Sequence, residues 1–155
     1  VLRAEEIAAS HKRLRLFVMG TNDLVKDMRA RHTPMRLPMI TALGIGMLAA
    51  RAHGLTILDG VYNDLQDTEG FRAVCQQGLE MGFDGKTLIH PGQIEPCNEI
   101  FAPSSSELEM AGKIVTAFSA ASFGSPNAAH AAAWYGRLRA RCESCDWIEK
   151  RMPAS

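Results

Sequence analysis

The chain has 155 residues, of which 46% are hydrophobic, and its 17 basic and 17 acidic side chains give a formal net charge of zero. This length supports one domain with its own core, and the balanced charge argues against nucleic acid or an anionic membrane surface as a partner. No apolar stretch approaches the roughly 18 residues that a transmembrane helix needs, so we expect no membrane span.

Along the first 60 residues, hydrophobic periodicity predicts two strands separated by helices. The amino end is neither a signal peptide nor an initiating Met, and we expect that the sequence begins partway through a longer chain. The first predicted element is the end of a helix over 2–13, with Leu2, Ile7 and Ala8 on one side, and a strand over 14–19 follows it. A short helix that contains Leu24, Val25 and Met28 comes next, and then a basic loop over 29–36. The last two elements are a helix over 38–53 that is capped by Gly54 and a strand over 55–59.

The next 60 residues predict a third strand and three more helices. Asp67 is an N-cap candidate for a helix that ends at about Met81, before Gly82. A strand over 86–90 and a short helix over 94–100 follow. Ser104 and Glu107 have capping-box spacing, which predicts a helix from there to about residue 118.

The tail after residue 118 has a different character. Residues 120–127 resemble a linker, and 130–150 predict a helix rich in Ala and Arg. This region also contains Cys142 and Cys145, a C-x-x-C motif compatible with a redox site or half of a zinc site. No second Cys/His pair has zinc spacing and no strand precedes the motif, so we expect these two cysteines, with Cys75 and Cys97, to be free thiols in a reducing, cytoplasmic compartment.

The order of elements predicts an α/β fold with three βα units around a parallel sheet. The apolar runs over 16–19, 55–58 and 87–89 are continuous rather than alternating, as in strands that are buried on both faces. Polar residues follow each run directly. Because parallel sheets present their chemistry at the carboxyl ends of the strands, we expect the functional site at that edge.

Asp23 is the sharpest candidate for a metal ligand. An Asp that follows a strand and a Gly turn can offer a carboxylate oxygen to Mg²⁺, which takes one or two carboxylates and leaves other positions to water and substrate oxygens. The alternative is that Asp23 caps a short helix over 24–28, as Asn22 or Thr21 also could. On local sequence alone the cap is the favoured interpretation.

The segment over 59–64 has a similar ambiguity. Asp59, at a strand end, could bind a ligand, whereas Asn63 and Asp64 are common turn residues. Tyr62 could stack on a ring or hydrogen-bond a ligand, although a half-buried Tyr in a loop is commoner.

Further along, His90 could act as a general base, because its pKa ordinarily lies near neutrality, but a His before Pro at a strand end is more often structural. We expect Lys86 to be structural, and Met35, Met39 and Met47 to fill the core.

Taken together, these segments resemble the citrate lyase β-subunit-like family, which includes malyl-CoA and citramalyl-CoA lyases. The resemblance covers residues 1–118. It rests on G-x-x-D-L at 20–24, AARAHGL at 49–55, LDGVYND at 58–64, DTEGF at 67–71 and MGFDGKTLIHPGQI at 81–94, with Asn98, Phe101 and Pro103-Ser104 beyond them.

The resemblance implies a Mg²⁺-dependent (β/α)₈ TIM-type barrel. A complete barrel typically needs about 250 residues, so we expect 1–118 to be its C-terminal portion and 119–155 to be a linker and a divergent helical tail. Asp23 matches the family's metal-binding Asp. The family's metal-binding Glu and its substrate-binding Arg are expected upstream of residue 1, since Glu5 and Glu6 do not match. Its C-terminal acidic residue has no match in the tail. The implied substrate-binding residues are Gly20, Thr21, Asn22, Tyr62, Asn63, Asp64, His90 and Pro91.

The implied activity is cleavage or formation of a carbon–carbon bond between a 2-oxo acid and an acyl thioester of the citryl-, malyl- or citramalyl-CoA type. We expect this chain alone to be incomplete and to have little activity, and we expect a homo-oligomer. Two alternatives stay open. One is a non-catalytic half-barrel that serves binding or assembly, because a partial barrel exposes strand edges and apolar faces. The other is a related metal-dependent 2-oxo acid aldolase.

Overall fold

The computed structural model describes the backbone of residues 1–120 and the side chains of residues 1–114. The chain divides into two compact units, Val1–Phe101 and Ala102–Ser155. Residues 121–127 of the predicted linker, the predicted helix over 130–150, Cys142 and Cys145 lie outside the described residues. Within the described part, no helix is long and apolar enough to cross a membrane.

The first unit contains a parallel sheet with the strand order β1-β2-β3, in which β1 is Leu16–Val18, β2 is Thr56–Asp59 and β3 is Gly85–Lys86. Phe17 is in register with Ile57, and Asp59 is in register with Lys86. The predicted α/β class with a parallel sheet is therefore confirmed.

Helices connect and flank these strands as α1 (Ala4–Ala9), α2 (Thr21–Asp27), α3 (Ile40–Ala52), α4 (Thr68–Met81) and α5 (Ile94–Phe101). Short 3₁₀ turns at Leu37–Met39 and Pro91–Gln93 precede α3 and α5. The predicted caps are confirmed for α4, where the Asp67 side chain accepts a hydrogen bond from Gly70 N at 2.8 Å and Gly82 has a left-handed φ of 94°. Gly54, with a φ of 65°, follows the end of α3 as predicted.

The main core lies between α3 and the sheet. Met39, Leu43, Ala50 and Ile57 are almost completely buried in it, and Met47 joins them. The expectation that Met39 and Met47 fill the core is confirmed. A second cluster joins Phe71 of α4 to the free cysteines Cys75 and Cys97.

Three predictions about the elements are wrong. Met35 is 62% exposed, because it lies in the loop before the 3₁₀ turn, of which only Met39 is buried. The first helix is shorter than 2–13, and it buries Ala4 and Ala8, which lie on its face toward α3, while Leu2 and Ile7 are exposed. The third strand is Gly85–Lys86 and includes only Lys86 of the predicted 86–90, because β2 ends at Asp59 and the N–H of Ile89 bonds to the Gln93 side chain instead.

The second unit contains α6 (Ser105–Ala120). Its capping box is confirmed. The Glu107 carboxylate accepts from Ser104 N at 2.7 Å, and Ser104 Oγ accepts from Glu107 N at 3.3 Å.

Candidate functional site

The carboxyl ends of β1 and β2 lie side by side, so the segments that follow them meet at one edge of the sheet. Two amides join these segments. Asn22 Nδ2 donates to Asn63 Oδ1 at 3.2 Å, and Asn63 Nδ2 donates to Asn22 Oδ1 at 2.8 Å. Residues 41 positions apart in the chain thus hold the start of α2 against the loop after β2.

Asp23 is exposed in the first turn of α2. The predicted alternative, a cap on a helix over 24–28, is wrong: the helix begins at Thr21, Gly20 is its N-cap residue, and no side chain caps it. Among the described residues, the Asp23 carboxylate has neither a hydrogen-bond donor nor an ion-pair partner. It is therefore available to a ligand from solution.

This free carboxylate suits one coordination position of Mg²⁺, which prefers oxygen ligands. The described residues contain no group of three His, Cys, Asp or Glu side chains that could hold a metal ion. Among the described residues, Asp23 can therefore supply one protein ligand to Mg²⁺.

Asp59, at the end of β2, has the opposite environment. Its side chain is completely buried, and it accepts from Arg36 Nη1 at 2.8 and 2.7 Å, from Lys86 Nζ at 2.9 Å and from Gly60 N at 2.8 Å. The possibility that Asp59 binds a ligand is not supported, because protein donors saturate both of its oxygens. Burial lowers the pKa of the Lys86 amine, and the attraction of Asp59 opposes that effect.

Arg36 is one of two residues whose role the sequence analysis missed. We placed it in a basic loop, yet it is 5% exposed and has a left-handed φ of 51°. Besides Asp59, its Nε donates to Gln77 Oε1 at 2.6 Å, and Gln77 Nε2 donates to Met35 O at 2.8 Å. No local signal distinguishes Arg36 from Arg29 or Arg31, since its partners lie 23 and 41 positions away.

Tyr62 packs edge-on against Phe71 and donates its hydroxyl to Asp67 at 2.7 Å. This hydrogen bond, aided by partial burial and by the negative charge of Asp67, raises the pKa of Tyr62 to about 12. The same hydrogen bond and the N–H of Gly70 lower the pKa of Asp67. The loop after β2 is thus fastened to the start of α4.

The loop after β3 is tied to the same region by Gln93, another residue that the sequence analysis missed. Its Nε2 donates to Tyr62 O at 3.1 Å. His90 is exposed, and its Nδ1 accepts from Gly92 N at 3.1 Å, which is the structural role that we considered more common than catalysis. Pro91 begins the 3₁₀ turn and is also exposed.

A cavity of about 420 Å³ opens between the loop before α3 and the loop after β2. Four of the predicted substrate-binding residues, Thr21, Tyr62, Asn63 and Asp64, are among its lining, together with Arg36. Gly20, Asn22, His90 and Pro91 lie outside that lining. The cavity is thus lined in part by the buried residue Arg36. The exposed Asp23 carboxylate follows another lining residue, Thr21, by two positions in the chain.

Comparison with known proteins gives a consistent result. The family model described as HpcH/HpaI aldolase/citrate lyase matches residues 1–91. A (3S)-malyl-CoA thioesterase of Cereibacter sphaeroides is 58% identical over 118 residues, which are 76% of this chain and 41% of that protein. The citrate lyase subunit beta of Escherichia coli K12 is 34% identical over 121 residues, 78% of this chain and 40% of that protein.

A solved structure of a CitE protein is also similar to this chain. The protein CitE from Mycobacterium tuberculosis, in complex with magnesium, acetoacetate and coenzyme A, is 25% identical, with a TM-score of 0.64 over 89% of this chain and 55% of that one. This chain therefore spans about two fifths of the length of the curated relatives that it matches.

Proposed function

The chain belongs to the HpcH/HpaI aldolase/citrate lyase family, and from this premise we propose that the protein containing it is a Mg²⁺-dependent enzyme that acts on coenzyme A thioesters of hydroxy acids. The described βα units would then be the C-terminal part of a (β/α)₈ barrel. The observation that carries the proposal is the free Asp23 carboxylate at the carboxyl edge of the sheet. Asp23 lies on the same helix as Thr21, which lines a cavity large enough for a substrate group.

Asp23 would be one ligand of the metal, and the remaining ligands would come from substrate oxygens, water and residues outside the described part. Bound there, Mg²⁺ supplies Lewis-acid stabilisation of the negative charge that develops on a substrate oxygen. The chain's own residues do the positioning. The Asn22–Asn63 pair holds the segment that contains Asp23 against the loop after β2, and Tyr62 and Gln93 fix that loop in turn.

For the substrate we propose a malyl-CoA-type thioester. The relatives named as (3S)-malyl-CoA thioesterase are 58% identical, whereas those named as citrate lyase subunit beta are 34% identical. Two reactions of such a thioester are compatible with the site. Carbon–carbon cleavage gives glyoxylate and an acetyl thioester, and hydrolysis gives malate and the free thiol of coenzyme A. Because the relatives at 58% identity are named as thioesterases, hydrolysis is the second candidate reaction beside carbon–carbon cleavage.

The decisive experiment supplies malyl-CoA and Mg²⁺ to the full-length protein and identifies the products. We expect either product pair, and we expect Asp23→Asn to reduce kcat/KM by at least about a hundredfold because it removes a metal-binding charge. Asp27→Asn, at the end of the same helix, is the matched control and should leave the rate unchanged. Absence of any turnover of malyl-CoA by the full-length wild type would overturn the proposal.

The metal is tested separately on the 155-residue chain. Isothermal titration of Mg²⁺ in the presence of oxaloacetate or glyoxylate should show saturable binding that Asp23→Ala abolishes. Binding that Asp23→Ala leaves unchanged would remove Asp23 from the metal site. We expect little turnover by this chain alone, because Asp23 is the one metal-ligand candidate among its described residues.

A further inference from the structure

We propose that Gln77 of α4 is a positioning residue, which holds the loop over 29–36 against α4 and so shapes the cavity that this loop lines. Gln77 itself is not part of the cavity lining, so it acts through the residues that it binds rather than by touching a ligand. The inference deepens the proposed function and rests on it for the identity of the ligand. The attachment of the loop is a property of the described residues and can be measured without turnover.

The first observation is that one side-chain amide joins the loop to α4 through both of its polar atoms. Arg36 Nε donates to Gln77 Oε1 at 2.6 Å, and Gln77 Nε2 donates to Met35 O at 2.8 Å. Because a guanidinium only donates and a backbone carbonyl only accepts, the two partners also fix the orientation of the amide. Gln77 thus attaches the side chain of one loop residue and the backbone of the next one to the same point of α4.

A second observation is that the loop has few other attachments. Among the described residues, Gln77 is the one side chain that hydrogen-bonds the backbone of residues 31–35. A local bond, from Arg36 N to Thr33 O at 3.0 Å, closes the turn. Arg36 has a left-handed φ of 51°, which is uncommon for a residue other than Gly and needs surrounding contacts to persist. The bonds of its guanidinium to Asp59 and Gln77 provide such contacts.

The third observation is the place of Gln77 on α4. Gly70, Ala73 and Val74 of this helix line the cavity, and residues 32–36 line it from the loop. Gln77 follows Gly70, Ala73 and Val74 by seven, four and three positions, so it lies on the same face of α4. The two walls of the cavity are therefore joined next to the cavity itself. If the amide is lost, the loop gains freedom, and ordering it again opposes the binding of a ligand.

This arrangement predicts an effect on affinity rather than on the reacting bond. The loop wall would contact a bound thioester in the ground state and in the transition state alike. Loss of contacts that the two states share raises KM and leaves kcat unchanged. A residue of the reaction centre, such as the proposed metal ligand Asp23, would instead lower kcat.

The test compares Gln77→Met with Gln76→Met in the full-length protein. Met is close to Gln in length but forms neither hydrogen bond. Gln76 is the matched control, because it is exposed on the same helix and its amide bonds only to Glu80, at 2.9 Å. We expect Gln77→Met to speed hydrogen exchange of the Arg36 amide by about threefold to tenfold and to raise KM for malyl-CoA by a similar factor. The value of kcat should stay within about twofold, and Gln76→Met should change none of the three quantities.

Gln77→Glu separates the two hydrogen bonds and serves if Gln77→Met does not fold. Its carboxylate still accepts from Arg36 Nε but cannot donate to Met35 O, so we expect exchange and KM to rise in the same direction. Exchange in folded Gln77 variants that equals that of Gln76→Met would overturn the proposal. Faster exchange with an unchanged KM, or a lower kcat with an unchanged KM, would overturn it too. If the wild type turns over no malyl-CoA, the proposed function fails instead, and the exchange comparison alone decides the role of Gln77.

Discussion

Asp23 and Asp59 follow neighbouring parallel strands, yet their environments are opposite. Asp23 is exposed and has no partner among the described residues, whereas Asp59 is completely buried beneath Arg36, Lys86 and Gly60 N. Both were candidates for ligand binding on the same grounds of residue type and position. Position at a strand end therefore does not decide whether a carboxylate is sealed inside the protein or open to solvent; the cations that pack against it decide that.

Lys86 explains part of this difference. It belongs to β3 and is in register with Asp59, so it reaches the end of the central strand β2. The strand β1 lies on the other side of β2 and has no such neighbour within the described sheet. The carboxylate at the central strand end is consequently paired with protein cations, whereas the carboxylate that follows the outer strand has no partner among the described residues.

The largest expected effect comes from removing the buried charge. Asp59→Asn leaves two buried cations without their counter-charge, and we expect a loss of about 3–5 kcal/mol in the free energy of unfolding. Asp23→Asn removes an exposed charge and should change that free energy by less than about 0.5 kcal/mol. Urea denaturation of both variants measures the contrast. Equal losses from the two substitutions would refute the distinction between the two strand ends.

A smaller effect tests how closely the two strand ends approach each other. Gly60→Ala would place a Cβ 2.4 Å from Thr21 Oγ1 and 2.6 Å from the backbone oxygen of Met19, so we expect a loss of about 1–3 kcal/mol. Gly44→Ala is the matched control in α3, where a Cβ meets nothing within 4 Å, and helix propensity should raise stability by up to about 1 kcal/mol. Thermal unfolding of both variants supplies the measurement. A neutral Gly60→Ala would show that the strand ends are free to separate.

The smallest effect concerns the exposed end of the loop after β2. The pKa of Tyr62 is about 12, above the ordinary value near 10, so the folded state favours the protonated phenol. The stability that this hydrogen bond contributes is fully present below pH 10 and is lost as the pH rises through about 12. Phenolate absorbance should show this late ionisation in the wild type, and Asp67→Asn should return it toward 10. Loss of the late ionisation in Tyr62→Phe assigns the signal, and an unchanged titration in Asp67→Asn would contradict the assignment.

Local signals in the sequence were sufficient for the elements and their ends. Asp67 and Gly82 bound α4 as predicted, and Ser104 with Glu107 begins α6, because a cap depends on side chains within three or four residues of one another. The apolar runs over 16–19 and 55–58 contain most of β1 and β2. The third strand, Gly85–Lys86, lies just before its apolar run over 87–89, because its pairing ends where β2 ends, at Asp59.

The sequence by itself determined the βα order, the caps and the family to which the chain belongs, since each of these depends on short sequence motifs or on short-range hydrophobic periodicity. Only the tertiary structure decided that Asp59 is sealed by Arg36 and Lys86, that Thr21 is buried against Gly60, and that Asn22 meets Asn63. These contacts join residues 23 to 41 positions apart, and their strength comes from burial. Burial is a property of the packed chain, so no local pattern could have revealed it.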